Sequence, residues 1–212
     1  MEKIYYDTET TGLKPGRITQ LAYIIEDDNF QFVRAENRFF TIPESEHESA
    51  REAAKITGLT PEKLNELSNG KEFADHINEI HSDFIGRARV AHNISFDDKF
   101  LKAEFSRNNL EIPVACTFDT MKIFKDICRL EGKFGFKNPK LAELASHYRV
   151  KTDQVMQLAN KLFKCNDDSI SYHDARYDTT MVYVICKLRA EEIHGKPVKD
   201  SWTGLFTDRI AI

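Results

Sequence analysis

Asp7 and Glu9 stand two residues apart, just beyond Lys3-Ile4-Tyr5-Tyr6, which reads as a short strand. Side chains alternate along a strand, so both carboxylates point to one face. Two adjacent negative groups are unfavourable unless a proton or a cation neutralises them, and oxygen ligands suit a hard cation such as Mg²⁺ or Mn²⁺. An acidic surface turn before Gly12 has the same spacing, so the pair alone is weak evidence. Asp97 follows His92-Asn93-Ile94-Ser95-Phe96 at a strand-to-helix junction, which suits either a functional group or a carboxylate favoured by the helix dipole. Asp178 shares a helical face with Met181, Val182, Ile185 and Leu188. A carboxylate on an apolar stripe is desolvated and needs a partner, either a metal or a buried ion pair. His173 precedes Asp178 by five residues, which on one helix at ~100° each would leave them about 140° apart. It must therefore lie before the helix to meet Asp178, with Asp174 as the cap.

The elements that would hold these groups follow from local pattern. Ile18 to Ile25 and Phe30 to Ile42 read as strands joined at Asp27-Asp28-Asn29, completing a meander. Glu46 to Thr57 reads as a helix that stops at Gly58, and Thr60-Pro61-Glu62 supplies a cap and first-turn proline for the next. Phe73, Ile77, Ile80 and Phe84 recur at helical spacing ahead of Ala88 to Ala91, a buried strand. A helix with Phe96, Phe100, Leu101 and Phe105 comes next, then a short strand from Val114 to Cys116. Such alternation predicts parallel pairing through crossover helices. Further helices are predicted over Asp119 to Leu130, over Pro139 to Tyr148 with Asn138 as cap, and over Gln154 to Phe163, before the last one that carries Asp178. Lys196 to Ile212 shows no period. Trp202, Leu205 and Phe206 there suggest docking on the domain's own core or, as a minority reading, a partner-binding peptide.

At 212 residues the chain suits one well-buried domain, and its 41% hydrophobic and 30% charged residues match a soluble protein. No stretch approaches the ~18 apolar residues of a spanning helix, and the start lacks a basic segment followed by an apolar run, so neither membrane nor export is expected. Cys116, Cys128, Cys165 and Cys186 form no Cys-x-x-Cys pair, which favours free thiols in a reducing cytoplasm. The net charge of −4 argues against a polyanionic partner, but its distribution does not. Glu44 to Asp83 holds ten acidic residues against four basic, and Met121 to Lys164 ten basic against four acidic. The basic stretch, with Lys122, Lys125, Lys133, Lys137 and Lys140, is either a solvated surface or a nucleic-acid footprint.

In chain order, Asp7-Thr8-Glu9-Thr10-Thr11-Gly12, His92-Asn93-Ile94-Ser95-Phe96-Asp97 and His173-Asp174-Ala175-Arg176-Tyr177-Asp178 resemble the three motifs of the DEDDh exonucleases. That family includes the proofreading epsilon subunit of bacterial replicases, ribonuclease T and oligoribonuclease. The likeness runs from about Lys3 to Leu188 and is nearest the epsilon-like branch. It implies an α/β, ribonuclease H-like fold, a central mixed five-stranded sheet with helices on both faces, in an exonuclease domain over 1–195 followed by a tail over 196–212. It also implies that Asp7, Glu9, Asp97 and Asp178 bind two divalent cations, Mg²⁺ or Mn²⁺, with His173 as general base. Gly12, Leu13 and Phe96 would contact the terminal nucleotide, with Thr8, Thr10, Asn93 and Thr57 in the same substrate site. Thr57 stands where epsilon-like chains usually carry a histidine before Gly-Ile. The implied activity is 3′-to-5′ hydrolysis of single-stranded DNA or RNA ends, DNA favoured, releasing nucleoside 5′-monophosphates, with replication or repair proteins as partners. The alternatives are an RNA-specific exonuclease, a catalytically silent nucleic-acid-binding module of the same fold, and a protein-interaction domain using the basic surface.

Overall fold

Alternation along the first two strands decides how the sheet is covered. Strand β1, Lys3–Thr10, turns Ile4 and Tyr6 into one apolar cluster and Tyr5 into another, and β2, Ile18–Glu26, divides Leu21, Tyr23 and Ile25 from Ile24 in the same way. Every residue of β2 is buried, as expected of a strand covered on both faces. Strand β3, Phe32–Phe39, pairs with β2 and is more exposed, forming the sheet's edge. The structure is a computed structural model and describes residues 1–167 and 170–195. The sequence-predicted tail, 196–212, with Trp202, Leu205 and Phe206, lies outside the described residues.

Helix α1, His47–Thr57, ends at Gly58, and α2, Pro61–Ser68, starts with a Thr60 side-chain cap and a first-turn proline, as the sequence predicts. A 3₁₀ turn over Phe73–His76 leads into α3, Ile77–Phe84. Strand β4, Ala88–Ala91, then pairs parallel to β1, α4 runs over Ile94–Arg107, and β5, Thr117–Asp119, pairs parallel to β4. The resulting mixed sheet has five strands in the order β3-β2-β1-β4-β5. On one face Phe73, Ile80, Phe84, Phe100 and Phe105 pack against Tyr6 and Tyr23; on the other the C-terminal helices pack against Tyr5 and Ile24. Each such fully buried aromatic contributes about 1.5–3 kcal/mol of burial free energy.

Three expectations need correction. The fifth strand lies at Thr117–Asp119 and not at Val114 to Cys116, because register with Arg89 to Ala91 selects those residues and leaves Val114 99% exposed. The single helix predicted over Asp119 to Leu130 is two short ones, α5 at Thr120–Ile123 and α6 at Lys125–Cys128, the second stopped by Arg129 in the left-handed region. A small hairpin follows, β6 at Glu131–Gly132 and β7 at Gly135–Phe136. Helix α7, Leu141–His147, begins after Lys140 instead of Asn138, since the Glu143 carboxylate accepts the Lys140 N–H at 2.8 Å. Helices α8, Thr152–Leu162, and α9, Ala175–His194, complete the second face. Cys116, Cys128, Cys165 and Cys186 are free, and no helix among the described residues is long and apolar enough to cross a membrane.

Candidate active site

Strand β1 outruns its parallel neighbour. Pairing with β4 stops at Tyr5, opposite Val90, so the N–H of Thr8 has no strand beside it. Asp97, in the first turn of α4, fills that gap: its Oδ1 accepts from Thr8 N at 3.0 Å and from Thr8 Oγ1 at 2.7 Å. Asp7 and Glu9 share Tyr5's side of β1 and so face the helices of that layer, where α9 presents Asp178. Asn93 takes a left-handed backbone, φ +66°, to turn the chain from β4 into α4, and its N–H is held by Asp119 Oδ1 at 3.0 Å.

His173 lies before α9, as its spacing from Asp178 requires, in a strained left-handed conformation with φ +68°. Its backbone N–H donates to Asp178 Oδ2 at 3.1 Å, and its side chain is exposed. Asp174 caps the helix through Oδ1, which accepts from Arg176 N at 2.9 Å. The Arg176 guanidinium clasps the same carboxylate and reaches Asp167, while Gln20 of β2 accepts from Ala175 N at 3.2 Å and donates to Asp174 at 3.1 Å. The loop that presents His173 is therefore tied to the sheet through Gln20 and to the segment after α8 through Arg176 and Asp167.

One cleft of about 380 Å³ gathers Asp7, Glu9, Asp97, His173 and Asp178, together with Thr8, Thr10, Gly12, Leu13, Thr57, Asn93 and Phe96. All the site residues singled out in the sequence thus border a single cavity. Not all are equally open to a ligand, since the Thr8 hydroxyl is engaged by Asp97 and that of Thr10 donates to the Gly12 carbonyl at 2.9 Å. Gly12 itself has φ +154°, a conformation open to glycine and little else. Leu13 is 83% exposed at the lip, and its carbonyl accepts from Lys99 Nζ at 2.7 Å. The cleft also takes in Ala53, Ile56 and His92, which sequence reasoning did not assign; His92 and Ile56 adjoin assigned positions, but neither carries a signal of its own.

The electrostatics of the cleft are those of crowded carboxylates. Burial and then the charge of Asp174 push the Asp7 carboxyl up to about 7. Burial likewise raises Glu9, Asp97 and Asp178, with Asp7 the largest charged contributor in each case. The Thr8 hydrogen bonds oppose the rise at Asp97, and the His173 N–H opposes it at Asp178. Asp178 Oδ1 is buried without a hydrogen-bond partner. Among the described residues, ligand atoms of Glu9, His173 and Asp178 lie within 4.8 Å of one another, while Asp7 and Asp97 border the same cleft outside that group. An orphaned carboxylate oxygen and mutually repelling, oxygen-rich donors fit a hard divalent cation.

Residues 4–186 match the family model described as Exonuclease (RNase_T). The chain belongs to this exonuclease family. It is 30% identical over 200 residues to the DNA polymerase III PolC-type of Mycoplasmopsis pulmonis, covering 93% of this chain but 12% of that protein. It is 30% identical over 131 residues to the DNA polymerase III subunit epsilon of Rickettsia conorii, covering 60% of this chain and 56% of that one. This exonuclease-family chain thus spans only part of the length of these relatives. Its fold matches that of E. coli Exonuclease I in complex with a dT13 oligonucleotide, with TM-score 0.66 and 21% identity over 92% of this chain and 42% of that one. The ribonuclease H-like exonuclease fold expected from the three motifs is the one observed.

Proposed function

We propose that this chain is a metal-dependent 3′-to-5′ exonuclease that hydrolyses single-stranded nucleic acid, DNA in preference to RNA, and releases nucleoside 5′-monophosphates. The observation that carries the reading is the meeting of three distant segments, at Asp7 and Glu9, at Asp97 and at His173 and Asp178, in one cleft with an exposed histidine. The relatives named as DNA polymerase III and the oligonucleotide-bound neighbour favour DNA. Action in the cytoplasm, beside replication or repair proteins, belongs to the same proposal.

Asp7, Glu9, Asp97 and Asp178 would hold two divalent cations, Mg²⁺ or Mn²⁺. Such ions, when bound, make water a stronger nucleophile and neutralise charge on the leaving 3′ oxygen. His173, at the open side of the cleft, takes the proton from the attacking water. Leu13 and Phe96 offer an apolar slot for the terminal base, and Lys99 holds the Leu13 loop against α4. Gly12, Asn93 and Thr57 line the slot's approach.

The test is one oligonucleotide sequence, supplied as DNA and as RNA and labelled at either end. With Mg²⁺ or Mn²⁺, a 3′ label should be released at once as mononucleotide and a 5′ label should give a descending ladder, faster on DNA. Binding without a ladder would identify a silent module instead, and a ladder on RNA alone would overturn the DNA preference.

A further inference from the structure

Hairpin tips are ordinarily built from small or polar residues. The β6–β7 turn instead places Lys133 and Phe134 between Gly132 and Gly135, with Phe134 93% exposed. The backbone allows no other choice at its flanks: Gly135 has φ +101°, and a Cβ on Gly132 would meet the Gly135 carbonyl at 2.8 Å. Among the described residues the turn thus holds an aromatic ring outside the core clusters, with the Lys133 ammonium 5.3 Å from its centroid. Phe136 beside it is also exposed.

The surroundings are cationic. Residues 121–140 hold Lys122, Lys125, Arg129, Lys133, Lys137 and Lys140 against Asp126 and Glu131. Glu143 pairs with Lys137, and Asp119 lies 3.7 Å from Lys122. Two links tie this surface to the cleft. His92, which lines the cleft, lies near the backbone of Pro139. Phe136 is three residues from Pro139, a span of at most about 11 Å. Asp119, the partner of Lys122, also holds the N–H of Asn93 in the cleft wall.

We infer that the hairpin is a stacking platform for the single strand leading into the cleft, with Phe134 against a base and the neighbouring lysines against phosphates. This rests on the exonuclease reading above. A bare ring among cations suits a flexible polyanion that carries its own aromatic faces, and stacking of this kind tolerates any base.

Binding of a labelled oligothymidylate of about 12 nucleotides, within the usual span of such sites, is measured on the full chain in chelator, and cleavage is measured with Mg²⁺. Phe134→Ala should raise both Kd and KM about 5-fold or more, with kcat little changed. Phe134→Trp should restore both constants, and the alanine penalty should shrink on a dinucleotide too short to reach the hairpin. Parent-like Kd and KM in Phe134→Ala, or an equal penalty on both lengths, would overturn the platform. So would polyglutamate that competes as well as the oligonucleotide, since it would mark a surface for acidic proteins. Phe134-dependent binding without any cleavage would sink the exonuclease reading and leave the platform standing; cleavage indifferent to Phe134 would do the reverse.

Discussion

Asp7 sits where burial and Asp174 together push its carboxyl from 3.8 up to about 7. A carboxyl raised on folding binds its proton more tightly in the folded state, so the stability it contributes is full below 3.8 and is lost as pH rises to about 7. Glu9, Asp97 and Asp178 are shifted in the same direction. In excess chelator the melting temperature should therefore fall across that window, and Mg²⁺ should restore it above neutrality. Asp7→Asn, neutral at every pH, should flatten the fall and nearly abolish cleavage. A chelated protein whose melting temperature ignores pH between about 4 and 7 would contradict this account of the cluster. His173 should behave differently, because its side chain is exposed and only its backbone N–H supports Asp178. His173→Ala should keep the melting temperature and metal affinity but lower kcat by about 10²- to 10⁴-fold. Asp178→Ala should instead weaken metal binding. Near-normal kcat in His173→Ala would remove it from the chemical step.

The loop before α9 shows how an element positions a reacting group. Arg176 is nearly buried and joins Asp174 to Asp167, and Gln20 of β2 ties Asp174 and Ala175 to the sheet. Arg176→Ala should lower kcat about 10- to 100-fold, the range for residues that orient a reacting group, with a smaller change in KM. Arg176→Lys should recover part of the loss, because it keeps the charge but not the fork. Metal affinity measured by calorimetry separates this from damage to the carboxylates; a loss of kcat matched by lost affinity would move Arg176 into the metal's own support. The sequence revealed where His173 must lie, since the five-residue offset from Asp178 excludes a shared helix face. It did not reveal the clasp, because Gln20 and Arg176 are remote in sequence and neither follows a period. Elements were legible where their pattern was long, as in α4 and α9. The fifth strand was placed three residues too early because three residues cannot express alternation, and its place depends on β4's register. The β6–β7 hairpin, with strands of two residues each, escaped for the same reason.

At the scale of the molecule, charge has to be read by region, since the net −4 alone would set this protein against any polyanion. The acidic stretch falls on α1, α2 and α3, while the basic stretch begins beside the cleft at Lys122 and runs through the hairpin into α8. The lysines in it are not equivalent. Lys137 is engaged by Glu143 and Lys122 lies near Asp119, so Lys125, Lys133 and Lys140 are the better probes of phosphate contact. Neutralising a phosphate releases condensed counterions, and each contact on a single strand adds about 0.7 to the slope of log affinity against log salt. Replacing Lys125, Lys133 and Lys140 with glutamine should therefore reduce the slope by about 2, provided all three contact the strand. The loss of affinity should be largest at low salt and fade as salt screens the parent. Cleavage of a dinucleotide should be far less affected, because a substrate confined to the cleft does not cross this surface. Titrations of a labelled oligonucleotide at several salt concentrations, in chelator so that nothing is consumed, measure the slope directly. An unchanged slope would return these lysines to an ordinary solvated surface and require the strand to leave the cleft by another path.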